Sequence, residues 1–400
     1  MSHGMSNEVV IVQARRSPIG KFGGALASFS AIELGAHVIR AVLDGSPVDS
    51  QHLDEVIMGM VVTAGVGQIP ARQAAAKAGL ATQVKALHVN KVCASGMKSV
   101  GLAAQAIRAG DRQIVVAGGM ESMSNTPYLL PKARWGLRMG DGELVDSMIH
   151  DGLWCSFHDV HMIIHGSNVA KEYGISRSEQ DEWALRSHQL AAKAQASGRF
   201  AQEIAPLSLP QKKGDPLQVI HDESVRGDTS LEKLASLKPV IDKDGSITAG
   251  NAPGINDGAA ALLLMSREQA DALGIKPLAR IVSYGEVADD YPYLARTPAN
   301  AIKDALYKAK LDVGQLDLIE INEAFAAVTL LSTKLLEVSP ELVNVNGGAI
   351  AMGHPIGASG ARLVGTLVHE LIARGKRFGA AGICSGSAQG DAIIIENLTF

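Results

Sequence analysis

One short segment of this chain occurs twice. Ala94-Ser95-Gly96-Met97-Lys98-Ser99-Val100-Gly101 is matched by Ala358-Ser359-Gly360-Ala361-Arg362-Leu363-Val364-Gly365. Each copy opens an amphipathic stretch that ends near a glycine, Gly110 or Gly375, and a β-rich run follows each. Agreement of the flanking pattern as well as the residues points to duplication of one unit rather than coincidence. A duplicated unit sets equivalent loops from both halves at one interface, a common location for a site.

The rest of the chain has the alternation such a unit needs. Val9–Val12, Glu55–Met60, Ala86–Val92 and Gln113–Ala117 read as strands, and Ser30–Leu43, Ile69–Ala78 and Ser95–Arg108 read as helices. Strand-like runs return at Ala259–Met265, Ala279–Val282, Leu316–Ile321 and Phe378–Ile383, with helices between them. This predicts an α/β fold with a largely parallel sheet. The middle is different, mixing turn-rich loops with a long helix from Arg177 to Gly198, which Ser176 and Glu179 would close with a capping box. The expected division is a first half over 1–121, completed by 254–276, an inserted domain over 122–253, and a second half over 277–400.

Composition narrows the function. The 400 residues, 46% apolar and 20% charged, supply an ordinary core. A net charge of −4 with no basic tract argues against a nucleic-acid partner, while leaving room for a local basic pocket around a phosphorylated ligand. Cys93, Cys155 and Cys384 are too few, and odd in number, for a disulfide framework, which suits a reducing compartment. No apolar run approaches the roughly 20 residues that span a bilayer. Met1–Val10 lacks a signal-peptide layout, and Asn397–Phe400 is not a peroxisomal address. A cytoplasmic protein without membrane contact is expected.

Cys93 falls between a predicted strand and the helix that starts near Ser95. There it would face the positive end of the helix dipole, which favours thiolate, the nucleophilic form. A small buried hydrophobe is the competing reading. His354 lies in a loop with Gly347, Gly348, Gly353, Gly357 and Gly360, stiffened by Pro355. Such a loop brings backbone close to a ligand, and a nucleotide P-loop is disfavoured because no Lys-Ser/Thr follows. Cys384 follows a predicted strand in a Gly/Ser loop, and Asn322 stands at the end of another, as a functional residue or a helix cap. His158, His161 and His165 lack a carboxylate-and-cysteine set to complete a shell, so no metal is expected. Cys155 reads as structural.

With Asn90-Lys91-Val92-Cys93-Ala94-Ser95-Gly96, Asn322-Glu323-Ala324-Phe325, Gly353-His354-Pro355 and Cys384-Ser385-Gly386 in this order, the sequence resembles the thiolases, most closely the acetyl-CoA acetyltransferases. The likeness runs from about Val9 to Ile395. It implies two thiolase halves in a five-layer αβαβα core, a loop domain that holds coenzyme A, and a homodimer or homotetramer assembled through a loop near Pro127–Leu144. In the mechanism it implies, Cys93 takes the acyl group and His354 handles the proton. Cys384 deprotonates the second acetyl-CoA, Asn322 stabilises the enolate oxygen through a water, and the N–H groups of Cys93 and Gly386 hold the tetrahedral intermediate. Leu153, His161, Met162, Ala249, Ala324 and Phe325 would line the pantetheine channel, with Arg226 at the nucleotide end. No permanently bound cofactor is implied; coenzyme A thioesters are the substrates. Pro253 and Ile163 depart from the family pattern, which has serine and glycine there, and both bear on the acyl chain and the coenzyme A contacts.

Other readings predict different residues. A Cys-His-Asn hydrolase gives Cys384 no role. A non-catalytic carrier of acyl-CoA could lose either cysteine, and a decarboxylating condensing enzyme carries a histidine where Cys384 stands. A thiolase of longer 3-ketoacyl-CoA in fatty-acid degradation remains the nearest alternative.

Overall fold

The computed structural model describes residues 8–211 and 213–399; most of Met1–Val10, and Phe400, lie outside them. One ten-stranded sheet runs through the molecule. Its long strands are β1 (Val9–Arg16), β2 (Glu55–Gly59), β3 (Lys85–Val89), β4 (Ile114–Ser122), β5 (Asn256–Ser266), β6 (Ala279–Ala288), β7 (Leu318–Ile321), β8 (Phe378–Ser385) and β9 (Gln389–Asn397). They stand in the order β7-β8-β9-β6-β1-β5-β4-β2-β3, and the short strand Gly20–Lys21 pairs with β5.

The order contains the duplication. Outward from the centre, the first half reads β1, β5, β4, β2, β3, and the second reads β6, β9, β8, β7. In the fifth place of the second half, Val343 forms an isolated parallel bridge to Ile319 of β7. Directions match too: β2 is parallel to β4 as β7 is to β8, and β4 is antiparallel to β5 as β8 is to β9. The halves join through a short β1–β6 contact, Val10 opposite Arg280 and Ile11 opposite Ala279. A mostly parallel sheet is not what forms. β8 and β9 are separated only by Gly386–Ala388, too short for a crossover, so this pair must be antiparallel. β4 and β5 flank the long insertion and also run antiparallel.

Layering follows from burial. Every residue of β2, β4, β5 and β7 is buried, and apolar runs of this kind arise where both faces of a sheet are covered. The repeated segments begin two central helices, Ser95–Ala109 and Ser359–Ala373. Met97, Val100 and Ala104 of the first pack with Leu363, Val364 and Leu367 of the second, between Leu262 and Leu264 of one half-sheet and Ile393 and Ile395 of the other. Helix Ala31–Asp44 covers the far face of the first half-sheet, and helices Thr297–Ala309 and Ala326–Leu336 cover that of the second. That makes five layers, αβαβα. The central helices cross at their repeated glycines: a Cβ on Gly360 would lie 2.3 Å from the Met97 nitrogen, and one on Gly96 would lie 2.9 Å from the Ala361 nitrogen.

Residues 123–255 leave the sheet at the end of β4 and return at β5. Helix Arg177–Ala196 is their longest element, with a capping box between Ser176 and Glu179. No helix among the described residues is long and apolar enough to cross a membrane.

Candidate active site

Strand ends and helix starts of both halves meet around a cavity of about 180 Å³. Cys93, His354, Cys384 and Gly386 line it, together with Leu153, His161, Met162, Ala324 and Phe325, and with Ile163 and Pro253. Ala249 and Arg226 are exposed and take no part in the lining, and Asn322 stands behind His354.

Cys93 sits on a tight turn between β3 and helix Ser95–Ala109. The predicted strand stops early, at Val89, because Val92 adopts a left-handed backbone (φ 43°) that a β-branched residue rarely takes. Neighbouring side chains hold the turn. Asn90 Oδ1 accepts from the Val92 N–H (2.9 Å), and Ser95 Oγ accepts from the Lys91 N–H (2.8 Å) and donates to the Val92 carbonyl (2.6 Å). Ser385 Oγ donates across the interface to the Lys91 carbonyl (2.5 Å), tying the Cys384 loop to the Cys93 loop.

The helix start does not lower the Cys93 thiol as the sequence suggested. Burial between the two halves pushes it up to about 12, and the nearby Glu121 carboxylate adds to the rise. Two backbone N–H groups, those of Cys93 and Gly386, donate toward the sulfur and oppose the shift. Desolvation outweighs the dipole because the second half of the chain covers the turn. The Cys93 side chain is a thiol at rest.

Cys384 lies inside β8, one residue from its end, rather than after it, and is 1% exposed. Burial raises its thiol well above the usual range, and negative charge on Cys93 raises it further. The two sulfurs therefore sense each other.

His354 is 6% exposed, and burial, with help from the Arg362 charge, pushes its imidazole down to about 3. It is neutral. Its Nδ1 is 2.6 Å from Ser359 Oγ, which itself donates to the Pro355 carbonyl (2.9 Å). The hydroxyl has spent its proton, so Nδ1 carries the imidazole hydrogen and Nε2 keeps its lone pair. Asn322 Nδ2 stands 3.4 Å from that Nε2, and Asn322 Oδ1 has no partner among the described residues. Asn322 is not a helix cap: the next helix begins at Ala326, with Phe325 at its cap position. Asn256 Oδ1 accepts from the His354 N–H (2.9 Å) and fixes the loop.

Sequence reasoning missed three supports. Ser359 orients His354 from five residues on. Glu121, raised to about 7 by burial, accepts from the N–H groups of Val61 (3.0 Å), Val62 (3.3 Å) and Gly357 (3.0 Å), tying two loops to the end of β4. Glu323 accepts from Trp183 Nε1 (2.9 Å), Asn344 Nδ2 (3.0 Å), Ser187 Oγ (2.7 Å) and the Ile350 N–H (3.0 Å), anchoring the segment that carries Asn322. Ser359 stood in the repeated motif, and Glu323 followed Asn322. Only their partners were illegible.

Chemically, the cavity joins a thiol with two N–H donors at its sulfur, an imidazole with an open lone pair, and a second buried thiol. The chain also matches known proteins over almost its whole length. Residues 9–268 match the family model "Thiolase, N-terminal domain", and residues 275–397 match "Thiolase, C-terminal domain". The chain is 53% identical over 388 residues to an acetyl-CoA acetyltransferase of Pseudomonas aeruginosa, covering 97% of this chain and 99% of the relative. It is 48% identical over 390 residues to a probable acetyl-CoA acyltransferase of Staphylococcus epidermidis, covering 98% and 99%. The crystal structure of the Bacillus anthracis acetyl-CoA acetyltransferase superposes with a TM-score of 0.96 at 43% identity, covering 99% of this chain and 100% of that one. Two family models that together span almost the whole sequence, on a duplicated fold shared with a solved member, make this chain a member of the thiolase family.

Proposed function

We propose that the protein is an acetyl-CoA C-acetyltransferase. It joins two acetyl-CoA molecules into acetoacetyl-CoA and coenzyme A, and runs the reverse thiolysis of 3-ketoacyl-CoA, through an acyl-cysteine. The observation that carries this reading is the meeting of Cys93, Cys384, His354 and Gly386 in one cavity.

Cys93 attacks the thioester carbonyl as His354 Nε2 takes the thiol proton. A raised thiol and a depressed imidazole make a standing ion pair unfavourable, so the transfer accompanies the attack. The N–H groups of Cys93 and Gly386, already aimed at the sulfur, receive the oxyanion. One such donor contributes roughly 3–4 kcal/mol. The proton leaves with coenzyme A, and Cys93 is acetylated.

A second acetyl-CoA then enters. Cys384 gives its thiol proton to His354 Nε2 and, as thiolate, removes a methyl proton; the carbanion attacks the acetyl-cysteine carbonyl and expels the Cys93 sulfur, which takes the proton back from His354. Asn322 through a water, and His354 while Nε2 carries the Cys384 proton, hold the enolate oxygen. With Cys93 held as a thioester, no neighbouring thiolate opposes ionisation of Cys384 while it acts as base.

Leu153, His161, Met162, Ala324 and Phe325 offer a mostly apolar wall suited to a pantetheine arm; Ala249 would meet that arm from outside the lining, and the exposed Arg226 would meet the nucleotide. We assign the enzyme to the cytoplasm and to fatty acid metabolism, as a homotetramer. Three free cysteines support the first, and the exposed Trp135, Leu137, Met139 and Leu144 support an assembling loop.

Intact-mass measurement after incubation with acetyl-CoA tests the roles. Wild type and Cys384→Ala should carry one acetyl group, Cys93→Ala none, and Cys384→Ala should form no acetoacetyl-CoA. An adduct that persists in Cys93→Ala, or normal condensation in Cys384→Ala, defeats the assignment. Comparing thiolysis of acetoacetyl-CoA with that of a longer 3-ketoacyl-CoA separates this function from the long-chain alternative.

A further inference from the structure

Beside the cavity, the chain forms a small hairpin, Trp154–Cys155 paired with Val160–His161, that leads directly into helix Met162–Glu172. Its turn and the first turn of the helix bring Cys155, His158 and His165 together. One sulfur and one imidazole nitrogen from each histidine lie within 4.8 Å of one another. His161, grouped with these histidines in the sequence, is not among them. It caps the helix, accepting from the Ile163 N–H at Nδ1 (3.2 Å), and lines the cavity.

Two further observations point to a ligand. His165 is 5% exposed, yet its Nε2 is buried with no hydrogen-bond partner among the described residues. A buried polar atom in that state costs stability unless something meets it. Cys155 is a free thiol, 1% exposed, with no disulfide. His158 closes the group from the solvent side, edge-on to His165 at 5.2 Å between ring centroids, on a turn pinned by Phe157 stacked on Tyr291 at 3.7 Å.

We propose that Cys155, His158 and His165 bind one Zn²⁺, with water in the fourth position. One thiolate and two imidazoles are a borderline-soft donor set suited to zinc. A tetrahedral ion with ordinary Zn–S and Zn–N bonds sets its ligand atoms about 3.5 Å apart, and the exposed His158 ring is the ligand freest to adjust. Binding displaces the Cys155 proton to solvent. The ion would clamp the hairpin whose next residues, His161 and Met162, wall the cavity. Cys155 shares an apolar cluster with Met162, Phe325 and Cys384. The site is thus a positioning element for the cavity wall, outside the acyl-transfer chemistry.

The experiment dialyses chelator-treated protein against Zn²⁺, measures retained metal by plasma mass spectrometry, and records the absorption spectrum of the Co²⁺-loaded form. Wild type should hold one equivalent and give a thiolate-to-cobalt charge-transfer band with tetrahedral visible bands. His158→Ala, an exposed change that leaves the fold intact, and Cys155→Ser should each weaken retention by roughly tenfold or more. Cys93→Ser should leave it unchanged, separating this site from the thiols of the cavity. No stoichiometric zinc in wild type, retention untouched by both cluster substitutions, or loss of zinc in Cys93→Ser would each overturn the proposal.

Discussion

Replacing Ser359 with alanine tests how His354 is held. The hydroxyl accepts the Nδ1 hydrogen at 2.6 Å and passes its own proton to the Pro355 carbonyl. That carbonyl keeps two other donors, the N–H groups of Ala358 (2.9 Å) and Ser359 (3.0 Å), so the loss falls on the imidazole. In the variant the Nδ1 hydrogen is buried and unpaired, a cost of about 1–3 kcal/mol. The ring escapes part of it by moving the hydrogen to Nε2, which then cannot accept a proton from Cys93. Either outcome slows acylation. At 1.4 kcal/mol per tenfold, the acetylation rate should fall roughly 5- to 150-fold. Rapid-quench mass spectrometry in a single turnover measures that rate, and Ser359→Thr, which restores the hydroxyl, should recover most of it. KM for acetyl-CoA should change less than kcat, because Ser359 is not itself among the residues that line the cavity. Acetylation at the wild-type rate, or a change in KM alone, would refute the tautomer argument.

Two other outcomes follow from the packing and the electrostatics. With the thiol pushed up to about 12, the thiolate fraction of resting Cys93 grows about tenfold per pH unit well above the ordinary thiol value. Alkylation of Cys93 by iodoacetamide in a His354→Ala background should therefore climb through pH 10 without a plateau, and a plateau below pH 8 contradicts the burial argument. Gly360→Ala places a Cβ 2.3 Å from the Met97 nitrogen and must spread the central helices, so chemical denaturation should show a loss of about 3 kcal/mol or more; unchanged stability would mean the crossing is looser than described.

Much of the fold was written locally. Ser176 with Glu179 fixed one helix start, and Ser95 and Ser359, as copies, announced two helices that meet in the centre. The motif residues gave positions for the cavity because Asn322 and Cys384 lie at or next to strand ends, and Cys93 and His354 lie in the short loops before the central helices. What escaped depends on distant neighbours. Cys93 stands at a helix start, and its local setting favours thiolate; residues almost 300 positions away bury it and reverse the sign. Strand direction escaped too, since nothing within β4 tells that its neighbour arrives only after the insertion. Cys155 looked isolated because its partners lie on a turn and a helix, and only folding sets their ligand atoms together.

β5 pairs with β1 on one side and with β4 on the other, yet it is made last of the three, after the whole of residues 123–255. Translation at roughly 5–20 residues per second leaves a wait of about 7–30 s between completion of β4 and completion of β5. Throughout it, the nascent chain has two strands with unsatisfied hydrogen-bonding edges and an apolar gap between them. A holdase that shields those edges should raise the yield of native enzyme. A circular permutant that begins at β5 should need it less.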